Sequence, residues 1–189
     1  MGYPRPERRQ GERRSRVIAR PTPSEYAPYY ETYVARVRQG DIIELLARGI
    51  DDTMRLLGDL DEEKALFRYA AGKWSLKEVA GHMCDTERVY AYRALRFARN
   101  DATALPGFEQ DEYVAHGSFD TRSLGGILGE FRAVRAASIA LFEGLTPRSF
   151  ARRGKASGFE FTVRAIPFIL AGHELHHVGV IKERYLQLR

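Results

Sequence analysis

The sequence predicts an all-α fold, a four-helix bundle with long crossover connections. Four segments of the 189-residue chain carry apolar residues at helical spacing, and no segment shows the apolar–polar alternation of a half-buried strand. The three connections between the segments are about 16, 21 and 17 residues long. Simple up-and-down bundles need only short loops, so we expect one or more crossovers, or loops shaped for function.

The first two predicted helices have clear start signals. Asp41 and Glu44 have the spacing of a capping box ahead of the first, and Ser75 and Glu78 have it ahead of the second. We expect the first helix to end near residue 58 and the second near residue 99.

The last two predicted helices have weaker boundaries. The third is expected over about residues 121–144, although three glycines weaken its first turns by roughly 1 kcal/mol each relative to alanine. Pro167 leaves the start of the fourth open within residues 162–166, and this helix is expected to end near residue 186. Residues 154–161, between the two, are expected to form a short extended piece.

The whole net charge of +5 lies at the amino-terminal end. Residues 1–20 hold seven arginines and two acidic residues, whereas the other 169 residues hold 23 basic and 23 acidic residues. We predict a basic, flexible tail over residues 1–24 and one domain over residues 25–189, in which the tyrosine-rich residues 25–38 form an ordered arm. A neutral domain argues against specific nucleic-acid binding, because nucleic-acid-binding domains usually carry a basic face.

Cysteine content and hydropathy favour a cytoplasmic protein. Cys84 is the one cysteine, which allows no internal disulfide and fits a reducing compartment. No apolar run reaches the roughly 18 residues that span a bilayer, and residues 1–20 lack the apolar stretch of a secretory signal. We therefore expect no membrane partner.

Three of the five histidines are expected to face the interior of the bundle. His173 and His177 are four residues apart, so their side chains lie about 40° apart on one helix face, within its apolar seam. His82 lies in the seam of the second helix. A single inward histidine is usually a core residue, but three neutral imidazoles suit a divalent transition ion such as Zn, Ni or Fe(II). Three protein ligands also leave coordination positions open, as in a reactive site.

Two arginines extend the same two seams. Arg93 follows His82, and Arg184 follows His177. We expect both to point inward, either as clamps for a substrate carboxylate or a thiol cofactor, or as buried partners of acidic residues. His116 is expected to be an exposed loop residue, and Cys84 a small buried side chain.

Two other metal motifs overlap these histidines. Residues 173–177 are HExxH, the zincin motif, but the metzincin extension fails downstream, and Glu174 is expected to point away from the interior. Glu174 and His177 also form the ExxH motif of di-iron bundles. The second ExxH is absent, because the residue three positions before His82 is Val79 and the residue three positions before His116 is Tyr113, neither of which is a glutamate.

Two motifs resemble those of the DinB-like (DinB/YfiT) superfamily. The helix-2 signature of that family is similar to KWSLKEV at residues 73–79, with His82 and then DTER at residues 85–88. Its carboxy-terminal histidine helix is similar to AGHELHHVG at residues 171–179. RALR at residues 93–96 and LPGF at residues 105–108 also resemble the family. The resemblance as a whole covers roughly residues 18–187.

The resemblance implies a crossover four-helix bundle, often a homodimer, with one divalent metal ion on His82, His173 and His177. It also implies a metal-dependent enzyme acting on a small-molecule substrate. Such an enzyme would be a transferase or isomerase that uses a low-molecular-weight thiol, such as bacillithiol or mycothiol, or a hydrolase that activates water. The alternative is a non-catalytic metal-binding protein of the stress response, since many members are known only as damage-inducible proteins.

Overall fold

Four long helices dominate the computed structural model, which describes residues 18–188. The elements in chain order are α1 (Glu31–Val34), α2 (Ile42–Leu57), α3 (Glu62–Ala65), α4 (Leu76–Ala98), α5 (Gln110–His116), α6 (Leu124–Glu143), α7 (Pro147–Phe150), β1 (Arg153–Ala156), β2 (Phe159–Thr162) and α8 (Ala165–Val180). A π-helical turn, Ile181–Tyr185, continues α8. The predicted all-α bundle is confirmed, with the two short strands as its one addition within the described residues.

Local capping sets where the long helices begin. The Asp41 carboxylate accepts a hydrogen bond from the Ile43 amide at 2.9 Å, and Ser75 forms the predicted capping box with Glu78 at the start of α4. The third predicted helix begins later than expected, at Leu124, because Ser123 caps α6 by accepting from the Gly126 amide at 3.1 Å.

The packing of the helices confirms the predicted crossovers. Helix α4 packs chiefly against α6, and α2 packs against both α6 and α8, while α4 also contacts α8. Helices α2 and α4 thus lie across one diagonal of the bundle, and α6 and α8 across the other. The connections from α2 to α4 and from α6 to α8 must cross an end of the bundle, which explains their length.

A β-hairpin occupies the connection where the sequence predicts only an extended piece. Strands β1 and β2 pair antiparallel around a two-residue turn with positive φ at Ser157 (52°) and Gly158 (83°), the turn geometry that matches strand twist. Gly154 lies directly on Phe97 of α4, where an added Cβ would come 1.8 Å from the ring. The hairpin therefore covers the end of α4.

Residues 18–38 wrap over α8 and the hairpin. Arg20 donates to the Val37 carbonyl oxygen at 2.7 Å, and Arg164 donates to the buried Glu25 carboxylate at 2.6 and 2.7 Å. Residues 18–24, assigned to the tail from the sequence, thus include a side chain bonded to the arm. Residues 1–17 of the predicted flexible tail lie outside the described residues.

Arg135 of α6 joins all four long helices at the centre of the bundle. Its side chain is 1% exposed and donates to Glu87 of α4 at 2.7 to 2.9 Å, to Glu174 of α8 at 2.7 Å and to the Leu46 carbonyl of α2 at 2.8 Å. Thr53 of α2 donates to the second oxygen of Glu174 at 2.7 Å. These contacts satisfy charges that would be costly to bury alone.

The predicted outward orientation of Glu174 is therefore wrong. Every residue from Ala165 to Glu174 is buried, because α8 contacts α1, α2 and α4 on different sides. Over residues 165–174 the helix has no solvent face, so a seam drawn through its apolar residues does not separate inside from outside there.

Within residues 18–188, no helix combines the length and apolar character needed to cross a membrane.

Removal of the Arg135 guanidinium is expected to destabilise the bundle strongly. Arg135→Ala leaves two carboxylates buried without their partner and should lower the free energy of unfolding by about 3–5 kcal/mol, measured by urea denaturation. Arg135→Lys keeps the charge but loses the planar guanidinium. Its free energy of unfolding should lie between those of the unmodified protein and Arg135→Ala. Arg132→Ala on the same helix removes an exposed pair with Asp51 and should cost less than about 1 kcal/mol. Equal losses for Arg135→Ala and Arg132→Ala would contradict this role.

Candidate metal centre

Helices α4 and α8 bring the three predicted histidines together. His82 comes from α4, and His173 and His177 lie one turn apart on α8. The His173 Nε2 atom is 3.0 Å from His82 Nε2 and 3.1 Å from His177 Nε2. Among residues 18–188, this is the one group of three or more His, Cys, Asp or Glu side chains whose ligand atoms converge, all within 4.8 Å of one another.

The donor geometry fits a small divalent cation. A tetrahedral zinc ion with Zn–N bonds of about 2.0–2.1 Å holds its ligand nitrogens roughly 3.3 Å apart, close to the spacing found here. Hydrogen bonds between the imidazoles satisfy the three nitrogens less well. The Nε2 of a neutral His173 has either one proton or one lone pair, so it can form a full hydrogen bond with only one of the two Nε2 atoms that it faces. Three lone pairs directed at one cation resolve this conflict.

Burial keeps the imidazoles in the form that binds metal. Desolvation, aided by the charge of His176, lowers the pKa of His82 to about 4 from its usual 6.5. Desolvation also holds the pKa values of His173 and His177 well below the usual value, and the neighbouring imidazoles lower them further. At neutral pH the triad is therefore uncharged and ready to act as ligand.

Aromatic side chains from two other segments enclose the triad. The Trp74 ring centroid is 4.8 Å from that of His82, and Tyr33 of the arm packs edge-on against His173 at 5.3 Å and His176 at 5.6 Å. The sequence predicts the ordered tyrosine-rich arm, but its contact with the histidines was not predicted. Gly172 was the available signal, because an added Cβ there would lie 2.1 Å from the Tyr33 carbonyl oxygen.

Two cavities reach the triad from different sides. The aromatic cavity, about 240 Å³, touches His82 and His173 and is lined mainly by rings, those of Tyr29, Tyr30, Tyr33, Tyr90 and Phe108. The lysine cavity, about 350 Å³, touches His177 and is lined by polar and aromatic groups that include Lys73, Trp74, Asp111, His176 and Tyr185. The histidine cluster therefore has room for reactants on two sides.

Arg93 points inward as predicted but does not line either cavity. Its side chain is buried and donates to the Pro106 carbonyl and the Ser157 hydroxyl, both at 3.0 Å. Its guanidinium lies 4.8 Å from the Tyr90 ring centroid and 5.8 Å from that of Phe108. In this position it supports two rings of the aromatic cavity.

The predicted inward position of Arg184 is wrong. Its side chain is 59% exposed and pairs with Glu183 at 3.1 Å. The π-helical turn over Ile181–Tyr185 contains more residues per turn than an α-helix. The seam is consequently displaced, and Tyr185 rather than Arg184 is buried.

The remaining candidates lie outside the triad. Cys84 is buried and does not belong to the converging group, and desolvation raises the pKa of its thiol to about 12. Asp85 pairs with Arg88 at 3.4 Å. His116 is exposed as predicted, although it lies at the end of α5 rather than in a loop, with Nδ1 2.8 Å from the Glu112 carbonyl oxygen.

Comparison with known families agrees with this architecture. The model of the DinB superfamily matches residues 45–181, which include all three histidines. The chain belongs to the DinB superfamily. The resemblance drawn from the sequence is thereby confirmed for the family, and the match begins after the tyrosine-rich arm of this DinB-superfamily protein.

Its fold is shared by several solved structures, among them the following two. One is YfiT from Bacillus subtilis, described as a probable metal-dependent hydrolase with an unusual four-helix bundle topology, at 16% identity and TM-score 0.71 over 81% of this chain and 91% of YfiT. The other is a mycothiol-dependent maleylpyruvate isomerase, at 13% identity and TM-score 0.62 over 82% of this chain and 68% of the isomerase. No curated protein sequence matches the chain. At these identities the likeness is one of fold.

Acidification is expected to destabilise the metal-free protein before its carboxylates titrate. The pKa values of the three histidines are lower in the folded than in the unfolded state, so below about pH 6.5 the unfolded chain binds more protons. The free energy of unfolding should fall as pH drops below about 6.5, at a rate that approaches at most about 1.4 kcal/mol per pH unit for each histidine, and urea denaturation at about pH 7, 6 and 5 measures it. His82→Gln should reduce this slope, and His116→Gln, which changes an exposed histidine, serves as the control. A constant free energy of unfolding over this range would contradict the expectation.

Proposed function

We propose that this DinB-superfamily protein is a metal-dependent enzyme that transfers a low-molecular-weight thiol to a small-molecule substrate. His82, His173 and His177 would hold one divalent transition ion, Zn, Ni or Fe(II). The convergence of three neutral histidines, of which His82 and His173 are buried and His177 is half-buried, beside two cavities carries the proposal. A site with three protein ligands leaves coordination positions for a reactant.

The ion would supply Lewis acidity, lowering the pKa of a coordinated thiol or water so that a nucleophile forms at neutral pH. The protein supplies the rest. Three uncharged imidazoles leave the ion its positive charge, which a thiolate ligand would partly neutralise. Trp74 and Tyr33 pack against His82 and His173 and hold the ring planes, while Arg135 and Thr53 hold Glu174, the residue next to His173.

The lysine cavity supports a thiol rather than water as the nucleophile. Water needs no cavity of its own, whereas about 350 Å³ beside His177 suits a larger polar reactant. Lys73 offers a cation for an acidic group on such a thiol, and Asp111 offers an acceptor. The mycothiol dependence of one structural neighbour is consistent with this choice, and the hydrolase description of the other makes water the competing nucleophile.

A structural ion in a non-catalytic protein is the competing function. A structural site usually has four protein ligands, and among the described residues the converging group holds three. The homodimer implied by the family and the cytoplasmic location favoured by the sequence stay predictions.

Purified protein is expected to carry close to one divalent ion per chain by elemental analysis. His173→Ala removes the nitrogen that lies nearest to both others and should lose the ion. His116→Ala, which changes an exposed histidine on α5, should retain it. Stoichiometric metal in a His82/His173/His177 triple alanine variant would exclude the site.

Metal-loaded protein is expected to consume a thiol in the presence of an electrophile. The assay pairs bacillithiol, mycothiol and glutathione with generic electrophiles and follows ester hydrolysis in parallel. Turnover should require metal, and it should be lost in His173→Ala and kept in His116→Ala. Lys73→Ala should raise the KM for an acidic thiol several-fold with little change in kcat, since it removes a binding charge. Lys64→Ala, which removes an exposed lysine that does not line the cavity, serves as its control. Metal-dependent ester hydrolysis without thiol turnover would replace the transferase by a hydrolase, and no metal-dependent turnover of either kind would favour the non-catalytic protein.

A further inference from the structure

We propose that the aromatic cavity binds a planar, uncharged substrate, an aromatic or conjugated molecule with one hydroxyl or carbonyl group, and that the arm tyrosines determine this specificity. The inference deepens the proposed function by naming the substrate class of the same site. It rests on a wall of aromatic rings to which the arm contributes Tyr29, Tyr30 and Tyr33, and these three residues precede the family match over residues 45–181.

The wall consists of rings that meet edge to face. Tyr30 packs against Tyr29 at 5.3 Å, against Tyr90 at 6.0 Å and against Phe161 at 5.4 Å between centroids, with interplanar angles of 65° to 82°. Tyr29 meets Tyr33 in the same way at 5.7 Å. A planar guest can continue this arrangement, since aromatic pairs favour edge-to-face and offset contacts.

The tyrosine hydroxyls bond to one another and leave the rings as an apolar surface. Tyr90 donates to the Tyr30 hydroxyl oxygen at 2.6 Å, and the Tyr29 and Tyr33 hydroxyls lie 3.0 Å apart. Each of these four hydroxyls thus has one hydrogen-bond partner within the wall. The cavity therefore recognises a guest mainly by shape and ring contact.

The charges around the aromatic cavity disfavour an anionic guest. Among the described residues that line it there is no lysine or arginine, and the one charged lining side chain is that of Glu109. Arg93 does not line the cavity; its Nη2 donates to Pro106 and Ser157, and its Nη1 is buried without a partner among residues 18–188. An acidic group would instead be accommodated by the lysine cavity on the other side of the triad.

Thr86 supplies a polar group for an oxygen substituent. It lines the cavity one helical turn after His82, is 4% exposed, and its Oγ1 has no hydrogen-bond partner among residues 18–188. Threonine hydroxyls inside helices commonly bond to the carbonyl four residues earlier, and this one does not. A buried hydroxyl without a partner is costly, and a hydroxyl or carbonyl on the substrate would satisfy it.

The arm is seated firmly enough to act as a wall. Gly172 lets the Tyr33 backbone approach α8 so closely that an added Cβ would lie 2.1 Å from its carbonyl oxygen. Arg20, which precedes the arm, donates to the Val37 carbonyl oxygen near the end of the arm at 2.7 Å. The rings are therefore presented in a preorganised position.

Calorimetric titration of the full-length, metal-free protein tests the proposal without depending on metal chemistry. The probes are 2-naphthol, its saturated counterpart 2-decalol and its anionic counterpart 2-naphthoate. We expect 2-naphthol to bind at least tenfold more tightly than either counterpart. Tyr29→Leu and Tyr30→Leu should weaken 2-naphthol binding roughly three- to tenfold, the size expected for one lost aromatic contact.

Two further variants separate recognition from folding. Tyr92→Leu removes a tyrosine that is 50% exposed on α4 and does not line the cavity, and it should bind 2-naphthol like the unmodified protein. Thr86→Val keeps the side-chain shape and should weaken 2-naphthol binding severalfold while leaving the free energy of unfolding unchanged or higher. Tyr29 is 63% exposed, so Tyr29→Leu is informative even if Tyr30→Leu does not fold.

Equal affinity for 2-naphthol and 2-decalol, tighter binding of 2-naphthoate, or an equal loss in Tyr92→Leu would overturn the proposal. Absence of 2-naphthol binding would do the same. None of these results bears on metal retention by His82, His173 and His177, so failure of the substrate class and failure of the metal site are separate outcomes.

Discussion

The buried guanidinium of Arg135 is the interaction on which the rest of the bundle depends. It contacts carboxylates on α4 and α8 and a carbonyl on α2, so one side chain of α6 sets the relative positions of four helices. Two of these helices carry the histidines. Glu87 lies five residues after His82, and Glu174 directly follows His173. The ionic network thereby fixes the distance between α4 and α8 at the histidines. A shift of α4 or α8 would separate the Nε2 atoms.

The network and the triad also differ in charge in a way that suits a cation. Two carboxylates and one guanidinium leave a formal excess of one negative charge at the bundle centre, while burial keeps the nearby imidazoles neutral. A divalent ion in the triad would meet neutral donors with a compensating negative charge deeper in the bundle, and the low local dielectric strengthens that attraction. The same burial makes protonation of the triad unfavourable. Metal affinity and acid sensitivity of the folded chain thus have one physical origin.

Much of the fold and the three histidines could be predicted because the signals are local. A capping box at Ser75 and Glu78 starts α4 wherever the helix packs, and four-residue spacing puts His173 and His177 on one face of any α-helix. Predictions failed where an element has more than one environment. The amphipathic pattern of α8 predicts an outward Glu174, but α8 is buried on all sides at that residue. The α-helical repeat predicts an inward Arg184, but the π-helical turn over Ile181–Tyr185 interrupts that repeat.

By itself, the sequence determined the family, the four helices and the identity of the three converging histidines, because capping, periodicity and ligand spacing act within one segment of chain. Only the tertiary structure decided what surrounds them. Contacts between segments far apart in the chain form the tyrosine wall and the two separate cavities. Such contacts also pair Glu174 with Arg135 and leave the Thr86 hydroxyl without a partner among the described residues. Such contacts follow from how the crossovers order the helices around the bundle, and no pattern within a single segment encodes that order.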